Sequence, residues 1–179
     1  DMVSDGKDFK VHLVSKGLFV EGANSAPATS KNKLENLRPE AFLSAIMIRP
    51  PQPGVEQAFL EDATDEDDSL YILHFARQNP DGSIVLTRNL SFDRIDLSIV
   101  RQKIFDAAGF IVSDTRYAKW TPYNGVMFPA RIDINRPQDG YGIVMNVVDM
   151  QMNLNLTDDK FVLTQPEGTT LQTIGSPAK

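Results

Sequence analysis

The stretch Tyr141–Leu156 reads YGIVMNVVDMQMNLNL, and its pattern decides the fold. From Val148 onward, apolar and polar residues alternate without a break, which is typical of a strand with one buried face. The first half alternates on the opposite parity, so we predict one long strand with a β-bulge at Val147–Val148. Sixteen residues rising ~3.3 Å each extend ~50 Å, too far for a flat strand. We therefore expect a curved antiparallel sheet with an apolar concave face.

Shorter alternating segments precede this stretch and are separated by turn signals. They include the apolar residues Tyr71, Leu73 and Phe75, then Ile95, Leu97 and Ile99, then Val126, Phe128, Ala130, Ile132 and Ile134. Consecutive turns between such segments favour neighbouring antiparallel strands. The predicted fold class is mainly β with a small helical part: a curved antiparallel half-barrel sheet in meander order, with a short lid or plug helix.

The helical part is predicted at Pro39–Ile48. Proline suits a first helical turn, the apolar residues Phe42, Leu43, Ile46 and Met47 recur at helical spacing, and the proline-rich segment 50–54 ends the helix. Such a helix either forms a lid over the concave sheet or plugs the core, and the sequence leaves both open.

Composition limits the classes of function. The 179 residues suit a single domain over 1–179, and a net charge of −6 argues against a nucleic-acid partner. There is no cysteine, so thiolate metal sites and disulfides are excluded. No apolar run approaches the ~20 residues of a membrane-spanning helix. The chain opens with Asp1 inside an apparent strand, so we expect that an N-terminal portion, with any targeting segment, is missing.

No catalytic motif is recognisable. His12 and His74 are each opposite in parity to their apolar neighbours, which predicts two solvated histidines. The acidic run Glu61–Asp68 lacks the spacing of a calcium loop and is predicted to be a solvated loop. We expect no enzyme activity, no catalytic residue, no metal and no cofactor.

The methionines bear more on function. Met145, Met150 and Met152 lie on the long predicted strand, and Met47 lies near the end of the helix. Methionine suits surfaces that accommodate varied apolar partners, although it also fills irregular gaps in ordinary cores. Together with a long curved sheet and little helix to cover it, these residues favour an apolar cavity.

Three segments carry a resemblance to a known family. Arg94–Gly109, Gly125–Ile134 and Asn153–Gly168 resemble the central strands and the C-terminal pattern of LolA/LolB-type outer-membrane lipoprotein carriers. The resemblance covers roughly residues 69–168. More weakly, Met2–Gly22 is similar to an earlier hairpin of related envelope lipoproteins.

The resemblance implies a half-barrel whose N-terminal helix and first strands are missing here, and a cavity for acyl chains of lipids or lipoproteins. It also implies a periplasmic or outer membrane-associated location, with a lipid anchor in the missing N-terminal part as the sole membrane attachment. It further implies an arginine that locks the lid, for which Arg38 and Arg49 are candidates.

We therefore predict a non-enzymatic module for lipoprotein sorting and transport, whose partners are acyl chains and other envelope proteins. The alternative is a structural envelope lipoprotein that uses the same fold as a protein-docking surface and has no open cavity. The residues predicted to line the cavity are Phe42, Ile46, Phe75, Leu97, Phe128, Ile132, Met145, Met150 and Met152.

Overall fold

The structure is a computed structural model and describes residues 1–26, 37–64 and 69–174. Contacts divide the chain into two compact units, Asp1–Ile46 with Asn153–Lys179, and Met47–Met152. The prediction of one domain over 1–179 stays a prediction, and each unit is described by itself.

The first unit contains a small four-stranded sheet in the order β1-β2-β3-β11. Its strands are β1 (Met2–Ser4), β2 (Asp8–Leu13), β3 (Leu18–Ala23) and β11 (Thr170–Ile174). A turn at Asp5–Gly6 joins β1 to β2: Gly6 has φ +93°, and Asp5 Oδ1 accepts from the N–H groups of Lys7 and Asp8. Phe9, Val11 and Val20 form the core of this sheet.

The helix α1 (Pro39–Ile46) also belongs to the first unit, and it ends two residues before its predicted end. Its buried side chains are Pro39, Ala41 and Ala45. The predicted apolar face was therefore wrong, because Leu43 and Ile46 are exposed and Phe42 is only half-buried. The helix is buried through small alanine side chains, and its larger apolar side chains Leu43 and Ile46 face away from the buried side.

The second unit is a seven-stranded, entirely antiparallel sheet in the order β10-β9-β8-β7-β6-β5-β4. This order is a meander, and β4 and β10 do not pair, so the sheet is not closed into a barrel. The predicted fold class is confirmed: mainly β, one short helix in the described residues, and an open sheet consistent with a curved half-barrel. Its strands are β4 (Gln57–Thr64), β5 (Ser69–Gln78), β6 (Ile84–Asp93), β7 (Ile99–Phe105), β8 (Ile111–Tyr123), β9 (Val126–Arg136) and β10 (Tyr141–Asn146).

The single long strand predicted at Tyr141–Leu156 was wrong. β10 covers only Tyr141–Asn146, and one further bond, from Val147 N–H to the Ala130 carbonyl, ends its pairing with β9. The change of parity at Val147–Val148 coincides with the end of β10. Had the strand continued without a bulge, the apolar side chains after Val148 would have pointed to the opposite face from Ile143 and Met145. Val148 is fully in solvent. The register shifts in this sheet lie instead at Phe75/Ala76, Ser91/Phe92 and Ile104/Phe105.

Two further predictions need correction. Ile95 and Leu97 lie in the turn between β6 and β7, where Asp93 Oδ1 accepts from the N–H groups of Ile95 and Asp96. The carboxylate thus organises a turn where hydrophobic alternation indicated a strand. The predicted acidic loop Glu61–Asp68 is strand β4 as far as Thr64, and its remaining residues lie outside the described part of the chain.

Candidate functional site: the apolar face of the seven-stranded sheet

The register of the large sheet gathers most apolar side chains on one face. Residues directly opposite each other in an antiparallel pair project from the same face, so the face can be followed from strand to strand. We call it the apolar face, and its apolar members include Leu60, Leu73, Phe75, Leu90, Phe92, Ile104, Tyr117, Phe128, Ile132, Ile134, Ile143 and Met145. The other face, the polar face, presents residues such as His74, Asn89, Lys103, Asp114, Arg116 and Asp133.

Four of the nine predicted cavity residues lie on the apolar face. Ile132 on β9 and Met145 on β10 are directly opposite each other, and Phe128 lies four residues before Ile132 on the same face of β9. Phe75 is on β5, four strand spacings or about 19 Å across the sheet. Phe75 and Ile132 have no exposed surface, while Met145 and Phe128 are half-buried.

None of the other five lies on a strand of this sheet. Phe42 and Ile46 are on the helix of the first unit. Leu97 is 61% exposed in the β6–β7 turn and has φ +59°, so its predicted place on a strand is wrong. Met150 and Met152 are half-buried but follow the end of β10, outside any strand.

An arginine that the hydrophobic pattern did not reveal stands in the middle of the apolar face. Arg88 is directly opposite Phe75 and is buried. Its Nη1 donates to the Arg49 carbonyl at 2.5 Å, and its Nη2 donates to the Pro50 carbonyl at 3.2 Å and to Glu56 Oε2 at 3.0 Å. Arg88 therefore ties the segment that follows the helix to the sheet.

Neither predicted lid arginine makes that contact through its side chain. Arg38 belongs to the first unit, where its guanidinium lies 4.9 Å from the Phe9 ring and donates to the Leu37 carbonyl. Arg49 supplies only a carbonyl to the Arg88 contact. The sequence does contain one indication of Arg88: it is a charged residue at a position of β6 where the alternation calls for an apolar one.

Buried polar side chains also share the apolar face. Tyr117 donates its hydroxyl proton to Gln102 Oε1 at 2.9 Å, and Ser113 and Thr115 are buried beside them. Burial raises the pKa of the Tyr117 hydroxyl, which therefore stays neutral. Alternation of apolar residues along one strand does not predict that Gln102 is buried, because its hydrogen-bond partner Tyr117 lies on the neighbouring strand.

The histidines differ from each other. His74 lies on the polar face, with Nε2 2.6 Å from Glu61 Oε2 and Nδ1 3.1 Å from Asn89 Oδ1. His12 pairs across the small sheet with the buried Phe19 and its side chain is only 14% exposed, so the prediction of a solvated His12 was wrong.

Within residues 1–26, 37–64 and 69–174, no three His, Asp or Glu side chains are placed to hold a metal ion. In the same ranges no helix is both long and apolar enough to cross a membrane.

Comparison with known proteins gives distant structural neighbours. No protein-family model matches the chain, and no curated protein matches it significantly. A LolA superfamily protein from Nitrosomonas europaea is similar with a TM-score of 0.48 and 15% identity, over 90% of this chain and 69% of its own. A DUF1329 family protein from Desulfovibrio piger gives 0.48 and 15%, over 87% and 62%. A domain named as a candidate outer membrane lipoprotein-sorting protein from Vibrio parahaemolyticus gives 0.41 and 12%, over 59% and 45%.

The resemblance predicted from the sequence is thus matched among the structural neighbours. The chain spans less than two thirds of the length of two of these three proteins. The fold class rests on the strand order and register described above, and the likeness does not extend to a ligand.

Proposed function

We propose that this chain is a non-enzymatic module that binds acyl chains of lipids or lipoproteins on the apolar face, and that it serves lipoprotein sorting and transport at the bacterial envelope. The observation that carries the proposal is the direct pairing of Ile132 with Met145 at the open edge of the sheet. β10 has no further strand neighbour among the described residues, so an acyl chain can reach this pair without breaking a strand ladder.

The chemistry of this edge suits an acyl chain. Met145 is unbranched and polarisable, and it is half-buried beside the fully buried Ile132. Each buried methylene of a ligand contributes about 0.8 kcal/mol, so a long chain gains useful affinity from apolar contact alone. We place Phe128, Ile132 and Met145 at the centre of the site, with Met150 and Met152 beside the end of β10.

Three of the other predicted residues, Phe75, Phe42 and Ile46, would contact a ligand away from the centre of the site. Phe75 lies on the same face but far across it, so it would contact a ligand that extends along the sheet. Phe42 and Ile46 stay candidates for acyl-chain contact within their own unit. Leu97 is left out, because it lies exposed in the turn between β6 and β7 and not on a strand.

The cellular setting follows from the sequence resemblance. It supports a periplasmic or outer membrane-associated protein with a lipid anchor. Its partners would be lipoprotein acyl chains and other envelope proteins, with no nucleic acid and no cofactor.

Binding of a fluorescent fatty acid, together with native mass spectrometry after gentle purification from a Gram-negative host, tests the proposal. Adjacent residues on opposite faces supply matched variants: Met145→Glu and Phe128→Glu alter the apolar face, whereas Val144→Glu and Met127→Glu place the same charge on the polar face. We expect the first pair to weaken probe binding at least tenfold, because each would bury a charge beside the ligand. The second pair should leave it within about twofold. Purified protein with no co-purifying lipid and no probe uptake would overturn the proposal.

A second candidate function is a protein-docking surface. Edge strand β4 has no neighbour beyond it among the described residues, and both Phe59 and Leu60 on it are more than half exposed. An exposed edge with apolar side chains can accept another strand. If lipid is absent, cross-linking through a photoreactive group at Phe59 in the envelope should capture a protein partner, and the same group at Arg77 should not.

A further inference from the structure

Three basic side chains stand together on the polar face of the seven-stranded sheet. Arg101 on β7 is directly opposite Arg116 on β8, and Lys103 is opposite Asp114. Like charges directly opposite each other destabilise a strand pair. A facing pair of arginines is therefore unfavourable by itself, and it occurs in a chain whose net charge is −6.

One carboxylate offsets this cluster in part. Asp114 accepts from Arg101 Nε at 2.7 Å and Nη2 at 2.5 Å. The Arg101 hydrogen bond lowers the pKa of Asp114, and the charges of Arg116 and Lys103 lower it further. In the part of the chain that the structure describes, Lys103 and Arg116 have no salt-bridge partner of their own.

Among the described residues, the surrounding carboxylates form no salt bridge with Lys103 or Arg116. Asp133, opposite Arg116 on the other side, is paired with Arg131 at 3.0 Å. Asp93 also lines the depression described below, and its Oδ1 accepts hydrogen bonds from N–H groups of the adjacent turn. Two cations, Lys103 and Arg116, thus remain without a carboxylate of their own.

These cations line a depression of about 400 Å³ in the polar face. Arg101, Lys103 and Arg116 share its wall with Asn89, Ser91 and the aliphatic Ile72. The volume lies within the range of small-ligand sites, and a concave surface concentrates the field of its charges. Asn89 turns its Oδ1 toward His74, which leaves its amide N–H groups for another acceptor.

We propose that this depression binds a phosphate group, carried by a phospholipid headgroup or by a free phosphate ester. Guanidinium groups match phosphate oxygens through paired N–H donors, and lysine supplies a compact charge beside them. The Asn89 amide and the Ser91 hydroxyl provide neutral donors, and Ile72 offers contact to the carbon side of an ester. This site is on the face opposite the proposed acyl-chain site and does not depend on it.

Calorimetric titration with inorganic phosphate and with glycerol 3-phosphate, at low salt in a phosphate-free buffer, tests the free-ester source. Sedimentation with vesicles of phosphatidylglycerol in phosphatidylcholine, against phosphatidylcholine alone, tests the headgroup source. In whichever arm binds, the double variant Lys103→Gln/Arg116→Gln should weaken binding at least about tenfold, the loss expected for a charge-assisted hydrogen bond. Arg77→Gln removes one exposed charge from β5 about 16 Å along the strand from Ile72 and should change binding less than about twofold.

Asp114→Asn should change phosphate binding in the opposite direction from the double variant. It removes the carboxylate that engages Arg101, so it should tighten phosphate binding several-fold if the cluster is the site. Circular dichroism of each variant separates loss of binding from loss of fold. Absence of binding in both arms, equal losses in Arg77→Gln and the double variant, or weaker binding by a folded Asp114→Asn would each overturn the proposal.

Discussion

The guanidinium carbon of Arg88 lies 4.1 Å from the centroid of the Phe75 ring, and both side chains are buried on the apolar face. A buried charge is costly unless its hydrogen bonds are satisfied. Arg88 meets this condition with the Arg49 and Pro50 carbonyls and with Glu56, whose side chain is 13% exposed. The stacking on Phe75 adds a cation–π contribution. One side chain thus joins β6 to the segment that leads into β4.

Replacing Arg88 by methionine should lower the free energy of unfolding by about 3–5 kcal/mol. The variant fills similar space but leaves the Glu56 carboxylate and two carbonyls without their donor. Urea denaturation followed by circular dichroism measures the change. Arg77→Met, an exposed arginine on the neighbouring strand β5, is the control and should stay within about 0.5 kcal/mol. Equal stability of the two variants would contradict the role assigned to Arg88.

The ion pair of Asp114 with Arg101 should stabilise the fold only while Asp114 is ionised. The Arg101 hydrogen bond lowers the pKa of Asp114 in the folded state. Stability from a carboxyl whose pKa is lowered by folding is present above its unfolded value, ~3.9, and is lost as the pH falls through the lower folded value. A double-mutant cycle of Arg101→Gln and Asp114→Asn should give a coupling energy of about 1 kcal/mol at pH 7.

The coupling energy should fall as the pH is lowered from ~3.9 through the folded pKa of Asp114. The wild type, both single variants and the double variant are measured by urea denaturation at pH 7 and at a series of lower pH values at which the protein still folds. Because the cycle subtracts the titration of all other carboxyls, a coupling energy that does not decrease across this series would contradict ionisation of Asp114 as its source.

Alternation of apolar residues predicted the strands of the large sheet well where the buried residues are apolar. Phe128, Ile132 and Met145 lie on one face as their parity indicates. The same pattern could not find Arg88 or Gln102, because a buried polar residue is stabilised by partners distant in sequence, such as Glu56 and Tyr117.

The errors share a physical cause. Alternation of apolar and polar residues with a period of two is compatible with a β-strand, but it does not show whether a neighbouring strand is there to pair with it. From Val148 onward the alternation continues, yet no strand pairs with it in the described residues, and Leu154 and Leu156 are exposed. The site residues beyond β10 could therefore not be placed from the sequence.

Gly22 should be essential for the docking of the last strand of the small sheet. β11 lies parallel to β3 with Ile174 opposite Gly22, and a Cβ at this position would come within 2.4 Å of the Ile174 carbonyl oxygen. Backbone must move to relieve such a contact, so Gly22→Ala should cost about 1–3 kcal/mol. Limited proteolysis should also release the C-terminal strand sooner.

Gly142→Ala is the matched control for Gly22→Ala. A Cβ at Gly142 would lie 3.5 Å from the Ile134 carbonyl oxygen, an ordinary contact. This change should be neutral or slightly stabilising, because alanine loses less backbone entropy on folding than glycine. Comparable losses in both variants would show that the close approach to Ile174 is not the cause.

Leu97 offers a test that separates the turn from the proposed acyl-chain site. Its φ of +59° is a left-handed conformation that costs a leucine about 1–2 kcal/mol, and its exposed side chain recovers little of that by burial. Asparagine tolerates this conformation, so Leu97→Asn should raise the free energy of unfolding by up to about 1 kcal/mol. Ile95→Asn, in the same turn, should change it by less than about 0.5 kcal/mol. Leu97→Asn should also leave fatty-acid probe binding unchanged, whereas Met145→Glu should weaken it at least tenfold. Weakened probe binding in Leu97→Asn would return this residue to the site that the sequence predicted and would argue that the turn closes over the apolar face when ligand binds.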